Sequence, residues 1–238
     1  MEELAGRDVV VTGGAGALGG ALVAQLLAHG ARVHVPTIDE AEAERFRFKS
    51  DPRVVVRPGV DVTDEDRVER FYATVPELWA SIHLAGGFAA GGIVDTSART
   101  ARHMLSLNAL SAFLCCREAV RRMRTGGSPD DPPRGGRIVN VAAKPALVPS
   151  GGAVAYAMSK AAVASLTLSL SEEVRSEGIL VNAVVPSVMD TPANRASQPD
   201  ADFESWPKVD DVAATILFLA SPRNTATRGA LIPVYGRT

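Results

Sequence analysis

Strands alternating with helices from end to end predict one α/β domain over residues 1–238: a doubly wound parallel sheet with helices on both faces. Three observations carry that reading. First, a β-branched run, Asp8 to Thr12, leads through Gly13-Gly14-Ala15-Gly16-Ala17-Leu18-Gly19 into an apolar-periodic stretch ending at Gly30, which reads as strand, glycine turn and helix. Second, short apolar runs at 32–35, 54–56, 82–85, 137–141, 179–185 and 230–234 read as six more strands. Third, helical periodicity returns at 99–123, 155–177 and 209–220. Residues 125–136, rich in proline and glycine, read as an exposed connector.

The composition bounds the function. A chain of 238 residues with 46% hydrophobic content can bury a large core in one domain. The net charge of −2 is spread along the chain, with no basic stripe for nucleic acid. Arg117, Arg121, Arg122 and Arg124 fall near a predicted helix end, where cations favour the negative terminus and face water. No apolar run is expected to cross a membrane, and Met1 to Leu4 lacks a signal core. Cys115 and Cys116 read as buried thiols, which fits a reducing cytoplasm. His29, His34, His83 and His103 lack metal-ligand spacing, so no metal site is expected.

The carboxyl ends of parallel strands share one crevice, and the informative residues converge there. Gly13, Gly16, Ala17, Leu18 and Gly19 form a turn whose bare amides and helix start suit a pyrophosphate. Thr37 stands where an acid would favour NAD(H) or an arginine NADP(H), which leaves the choice of dinucleotide open. Asp61 and Val62 follow the third strand, with Asp61 or Thr63 also able to cap a helix. Ala85, Gly86 and Gly87 end the fourth strand. Asn108, unfavourable inside a helix, either faces solvent or has a task. Tyr156 and Lys160 lie one helical turn apart, so an ammonium there would lower the pKa of the phenol and make it a proton donor. Residues 187–207 read as a substrate lid, and Phe88 or Trp206 could stack on a flat ligand.

Together these motifs resemble the short-chain dehydrogenase/reductase family, over nearly the whole chain. The resemblance is carried by Thr12 to Gly19, Asp61-Val62, Ala85-Gly86, Asn108, Tyr156 with Lys160, and Pro186 to Thr191. It implies a Rossmann fold, NAD(H) or NADP(H), a small-molecule substrate and a homodimer or homotetramer. It also implies Tyr156 as proton donor and Lys160 as the group that tunes it and bonds the nicotinamide ribose. Asn108 would hold a relay water, while backbone near Pro186 and Val188, with Thr191, would hold the carboxamide. Where the family usually has a serine, this chain has Ala143, and the phosphate turn carries Ala17 in place of its middle glycine. Both departures are similar to the dihydropteridine reductase branch. So are Phe88-Ala89, Lys144 to Leu147, and the stretch from Asp190 through Trp206. The implied activity is reduction of a quinonoid dihydropteridine or a similar flat conjugated substrate. The alternatives are a ketone or 3-oxoacyl reductase, and a dinucleotide binder that turns over nothing.

Overall fold

The computed structural model describes residues 3–125 and 135–238. Its centre is a seven-stranded, wholly parallel sheet of order β3-β2-β1-β4-β5-β6-β7. The strands are β1 (Asp8–Thr12), β2 (Arg32–Pro36), β3 (Val54–Arg57), β4 (Leu78–His83), β5 (Gly136–Val141), β6 (Ile179–Pro186) and β7 (Leu231–Val234). The helices are α1 (Ala17–Ala28), α2 (Glu40–Arg45), α3 (Glu65–Ala73), α4 (Ala98–Met104), α5 (Ser111–Thr125), α6 (Val154–Glu173), α7 (Pro192–Ser197) and α8 (Val209–Ala220). The expected connector at 125–136 falls mostly outside the described residues.

Fully apolar strands such as Val9-Val10-Val11 form where both sheet faces are covered. One face packs Val9, Val11, Val33 and Val35 against Leu22 and Leu26 of α1 and Ile216 of α8. The other packs Val10, Ile138 and Val181 against Phe71 of α3 and Leu114 of α5. The strand order reverses between β1 and β4, and a crevice opens outside the carboxyl ends of strands at such a reversal.

A buried polar chain crosses this second face. Thr167 Oγ1 donates to the carbonyl of Val163 and accepts from Asn140 Nδ2 at 2.9 Å. Asn140 Oδ1 therefore accepts from His83 Nδ1–H at 2.7 Å, and His83 Nε2 accepts from Ser81 at 2.9 Å. Ser81 Oγ in turn accepts from Tyr72 at 2.7 Å. Burial holds His83 neutral, with its pKa down at about 4, and pushes the thiol of Cys115 up to about 12.

Three boundaries differ from expectation. The helix expected over 99–123 is interrupted by a π-helical turn, Leu105–Leu110, between α4 and α5. The helix expected over 155–177 stops at Glu173, because Arg175–Glu177 tighten into a 3₁₀ turn before Gly178 at φ +70°. β4 starts at Leu78 and ends at His83, although Leu84 and Ala85 still donate to the carbonyl and hydroxyl of Thr12.

A further correction concerns α6, which is long and apolar enough to cross a membrane by length and composition alone. Its buried face, including Lys160, Val163 and Thr167, packs on the sheet.

Candidate active site

The glycine turn is shaped for an anion. Gly13 has φ +67°, and a Cβ there would stand 2.8 Å from the amide nitrogen of Ala85. A Cβ on Gly19 would fall 2.3 Å from the carbonyl oxygen of Gly13, so only glycine lets α1 begin this close to the turn. Gly16 gives α1 no side-chain cap, and no acid stands in its first turn. The Gly16 amide donates to the carbonyl of Gly13, and the amides of Ala17 and Leu18 at the start of α1 suit a dinucleotide pyrophosphate.

Thr37 is buried at the end of β2, with its hydroxyl donating to the carbonyl of Asp39 at 3.2 Å. Asp61 accepts from the amide and hydroxyl of Thr63 at 2.8 and 2.7 Å. The cap of α3 is neither of these residues but Asp64, which accepts from the amide of Arg67. Val62 packs against the second core face.

Asn108 is 2% exposed and sits in the π-helical turn. Its side chain clamps Gly87, accepting from the amide at 2.9 Å and donating to the carbonyl at 3.0 Å. It also donates to Ser159 Oγ at 2.9 Å, and that hydroxyl donates to the carbonyl of Tyr156 at 2.8 Å. Asn108 therefore ties the β4 exit to the helix that carries Tyr156. A Cβ on Gly86 would meet Asn108 Oδ1 at 2.5 Å and Lys160 Nζ at 3.5 Å, which shows how closely these groups converge. Ser159 lacked a signal of its own in the sequence, since serine is common on helices.

Lys160 donates to the carbonyl of Val141 at 2.8 Å, and burial lowers its pKa to about 8. Burial raises the pKa of Tyr156 to about 12. The expected lowering of the phenol by the ammonium is therefore corrected for the protein alone. The ammonium is committed to Val141, and loss of hydration dominates both groups.

Ala143 is buried beside this carbonyl at the exit of β5. Phe88 is 67% exposed, and its ring meets that of Tyr156 edge-on, with centroids 5.0 Å apart. Trp206 is corrected to a packing residue. It is 6% exposed and lies against Phe203 at 5.1 Å, so it leaves no open face for a ligand.

Pro186 ends β6, Val188 is partly exposed, and Thr191 caps α7 by accepting from the amide of Asn194. The following segment is braced: Asp190 pairs with Arg195 and Lys208, which hold its carboxyl well below the usual carboxylate range.

The family description "short chain dehydrogenase" matches residues 7–202. A short-chain type dehydrogenase/reductase of Picea abies is 29% identical, across 98% of this chain and 92% of that protein. The NADPH-dependent aldehyde reductase-like protein of Arabidopsis thaliana is 29% identical, across 98% and 94%. A short-chain type dehydrogenase/reductase structure from Mycobacterium ulcerans superposes with a TM-score of 0.87 at 25% identity, covering 98% of this chain and 90% of that one. With NAD(P)(H) as its cofactor and a small molecule as its substrate, this chain belongs to the short-chain dehydrogenase family of oxidoreductases.

Proposed function

We propose that the protein reduces a quinonoid dihydropteridine, or a similar flat conjugated acceptor, with Tyr156 as proton donor. The observation that carries this reading is the exposed ring of Phe88 beside Tyr156, with Ala143 where a hydroxyl donor would otherwise stand. The reduced nicotinamide, when bound, supplies the hydride.

The chain's own groups do the rest. Lys160, one helical turn from Tyr156, would supply the positive charge that favours the phenolate when a bound dinucleotide changes the surroundings of both groups. Asn108 and Ser159 fix the α6 backbone at Tyr156. Asn108 would also position a relay water. Ala143 offers no hydrogen bond to a localised alkoxide, a loss worth roughly 10²-fold to an ordinary ketone reductase. An acceptor that spreads its charge over a conjugated ring does not need that bond.

Exposed apolar groups at Ile93, Val94, Leu147 and Val148 lie on the two segments flanking Tyr156. These segments are joined by a bridge between Gly91 and Ala153, and they suit a flat, partly apolar ligand. Residues 187–207 would act as the lid. A cytoplasmic homodimer or homotetramer completes the proposal, supported by the exposed α6 stripe Val154, Met158, Ala161, Ser165 and Leu168. Of the small residues on this helix, Ala161 lies on that open side, Ala162 is half-buried and Ala164 is buried.

The name of the Arabidopsis relative favours a second reading, reduction of simple aldehydes or ketones. The two separate in one assay. Dinucleotide oxidation is followed with freshly generated quinonoid dihydropterin beside a panel of simple carbonyls, for the wild type and Tyr156→Phe. The first reading expects turnover of the pterin and a loss of roughly 10²- to 10⁴-fold in the variant with dinucleotide affinity kept. Turnover of carbonyls alone would establish the second, and an unimpaired variant would remove Tyr156 from the mechanism.

A further inference from the structure

We infer that a cleft on the outer flank of the sheet, between β3 and α3, binds the phosphate group of a small molecule. β3 is the outermost strand, two places from β1, where the crevice opens. Arg57, Arg67 and Arg70 line the cleft, together with Pro58, Val60 and Phe71. It encloses about 380 Å³, which is the size of a pocket for a small metabolite.

The local structure brings the three arginines together. Val54 and Val56 pack on the α1 face, so strand alternation turns Arg57 towards α3. Along α3 and its cap, Arg67, Arg70, Phe71 and Thr74 follow at i, i+3, i+4 and i+7 and form one stripe. Phe71 is buried and gives the cleft an apolar floor. Arg67 is fixed in place, with Nη1 donating to the carbonyl of Gly59 at 3.0 Å and Nε 3.3 Å from Asp64 Oδ2. Among the described residues, no acid lines the cleft, and the side chains of Arg57 and Arg70 form no hydrogen bond or ion pair. Glu65 and Glu69 fall on the opposite side of α3, where Glu65 is taken by Arg117.

Three guanidinium groups therefore face one cleft in a chain whose net charge is −2. Like charges gathered this way raise the local potential, and an apolar wall focuses it. A charge on an outer strand can also block edge-to-edge pairing. That role accounts for Arg57 alone, not for the two arginines that meet it from α3. Guanidinium groups bond phosphate oxygens in pairs, and the donors of Arg57 and Arg70 are open to do so. The remaining volume leaves room for an organic part.

Calorimetry on the protein saturated with NADH tests the inference, with inorganic phosphate and glucose 6-phosphate as probes. The wild type is compared with the double variant Arg57→Gln, Arg70→Gln. Both side chains are exposed, and circular dichroism checks the fold. The wild type is expected to bind a probe with NADH in place. The double variant should bind it at least about tenfold more weakly, with NADH affinity kept. Tighter binding of glucose 6-phosphate would make the ligand an organic phosphate, and equal binding of the two would make it the free ion. No binding by the wild type, equal binding by the double variant, or binding that NADH or NADPH abolishes would overturn the inference.

Discussion

Burial shifts single residues in opposite senses, and the sign decides what each can do. A phenol loses acidity and an ammonium gains it, because both lose hydration of their charged forms. Tyr156 and Lys160 thus sit at about 12 and about 8, poised for whatever ligand groups complete their surroundings. His83 shows the same effect as a stability term. Its folded pKa, about 4, lies below the ordinary 6.5, so the unfolded chain takes the proton first as pH falls. Stability is then full above pH 6.5 and is lost as pH falls from there towards 4, by roughly 3 kcal/mol. Urea unfolding at pH 7 and at pH 4.5 measures this. His83→Gln should be less stable at pH 7 yet lose less between the two pH values. An equal loss in the variant would mean that His83 does not carry the effect.

Between elements, position depends on a few close approaches. The clamp from Asn108 to Gly87 and Ser159 makes the π-helical turn, the β4 exit and α6 one unit. The contact of Gly19 with the backbone of Gly13 and Gly14 does the same for the phosphate turn and α1. Gly19→Ala must push α1 outward, since its Cβ would otherwise stand 2.3 Å from a carbonyl oxygen. Such overpacking costs about 1–3 kcal/mol and displaces the amides that would face the pyrophosphate. Thermal unfolding and NADH titration should therefore both worsen in this variant. Unchanged affinity would show that the turn does not grip the dinucleotide.

Across the whole molecule, much of the architecture was legible because parallel strands buried on both faces leave unmistakable apolar runs, such as Val9 to Val11. The alternation of strands and helices alone also implied a crevice at the carboxyl ends of the strands. Two helices were harder to read. α3 is nine residues of mostly charged sequence that buries only Val68, Phe71 and Tyr72, and α2 is six residues long, so each offers only a short stretch to read. The partners of each polar group were illegible for another reason. That Asn108 bonds Gly87 and Ser159, and that Lys160 bonds Val141, depends on distances set by the packed sheet. The burial of Trp206 follows likewise from how residues 203–206 fold under the segment after β6.

The central claim is that Tyr156 stands beside a dinucleotide bound along the strand ends. The crystal structure of the dinucleotide complex tests it most directly. The account predicts the pyrophosphate over Gly13 to Gly19, the nicotinamide ring next to the Tyr156 hydroxyl, and its ribose within reach of Lys160 Nζ. A dinucleotide seated away from the glycine turn, or a nicotinamide pointing away from Tyr156, would contradict it.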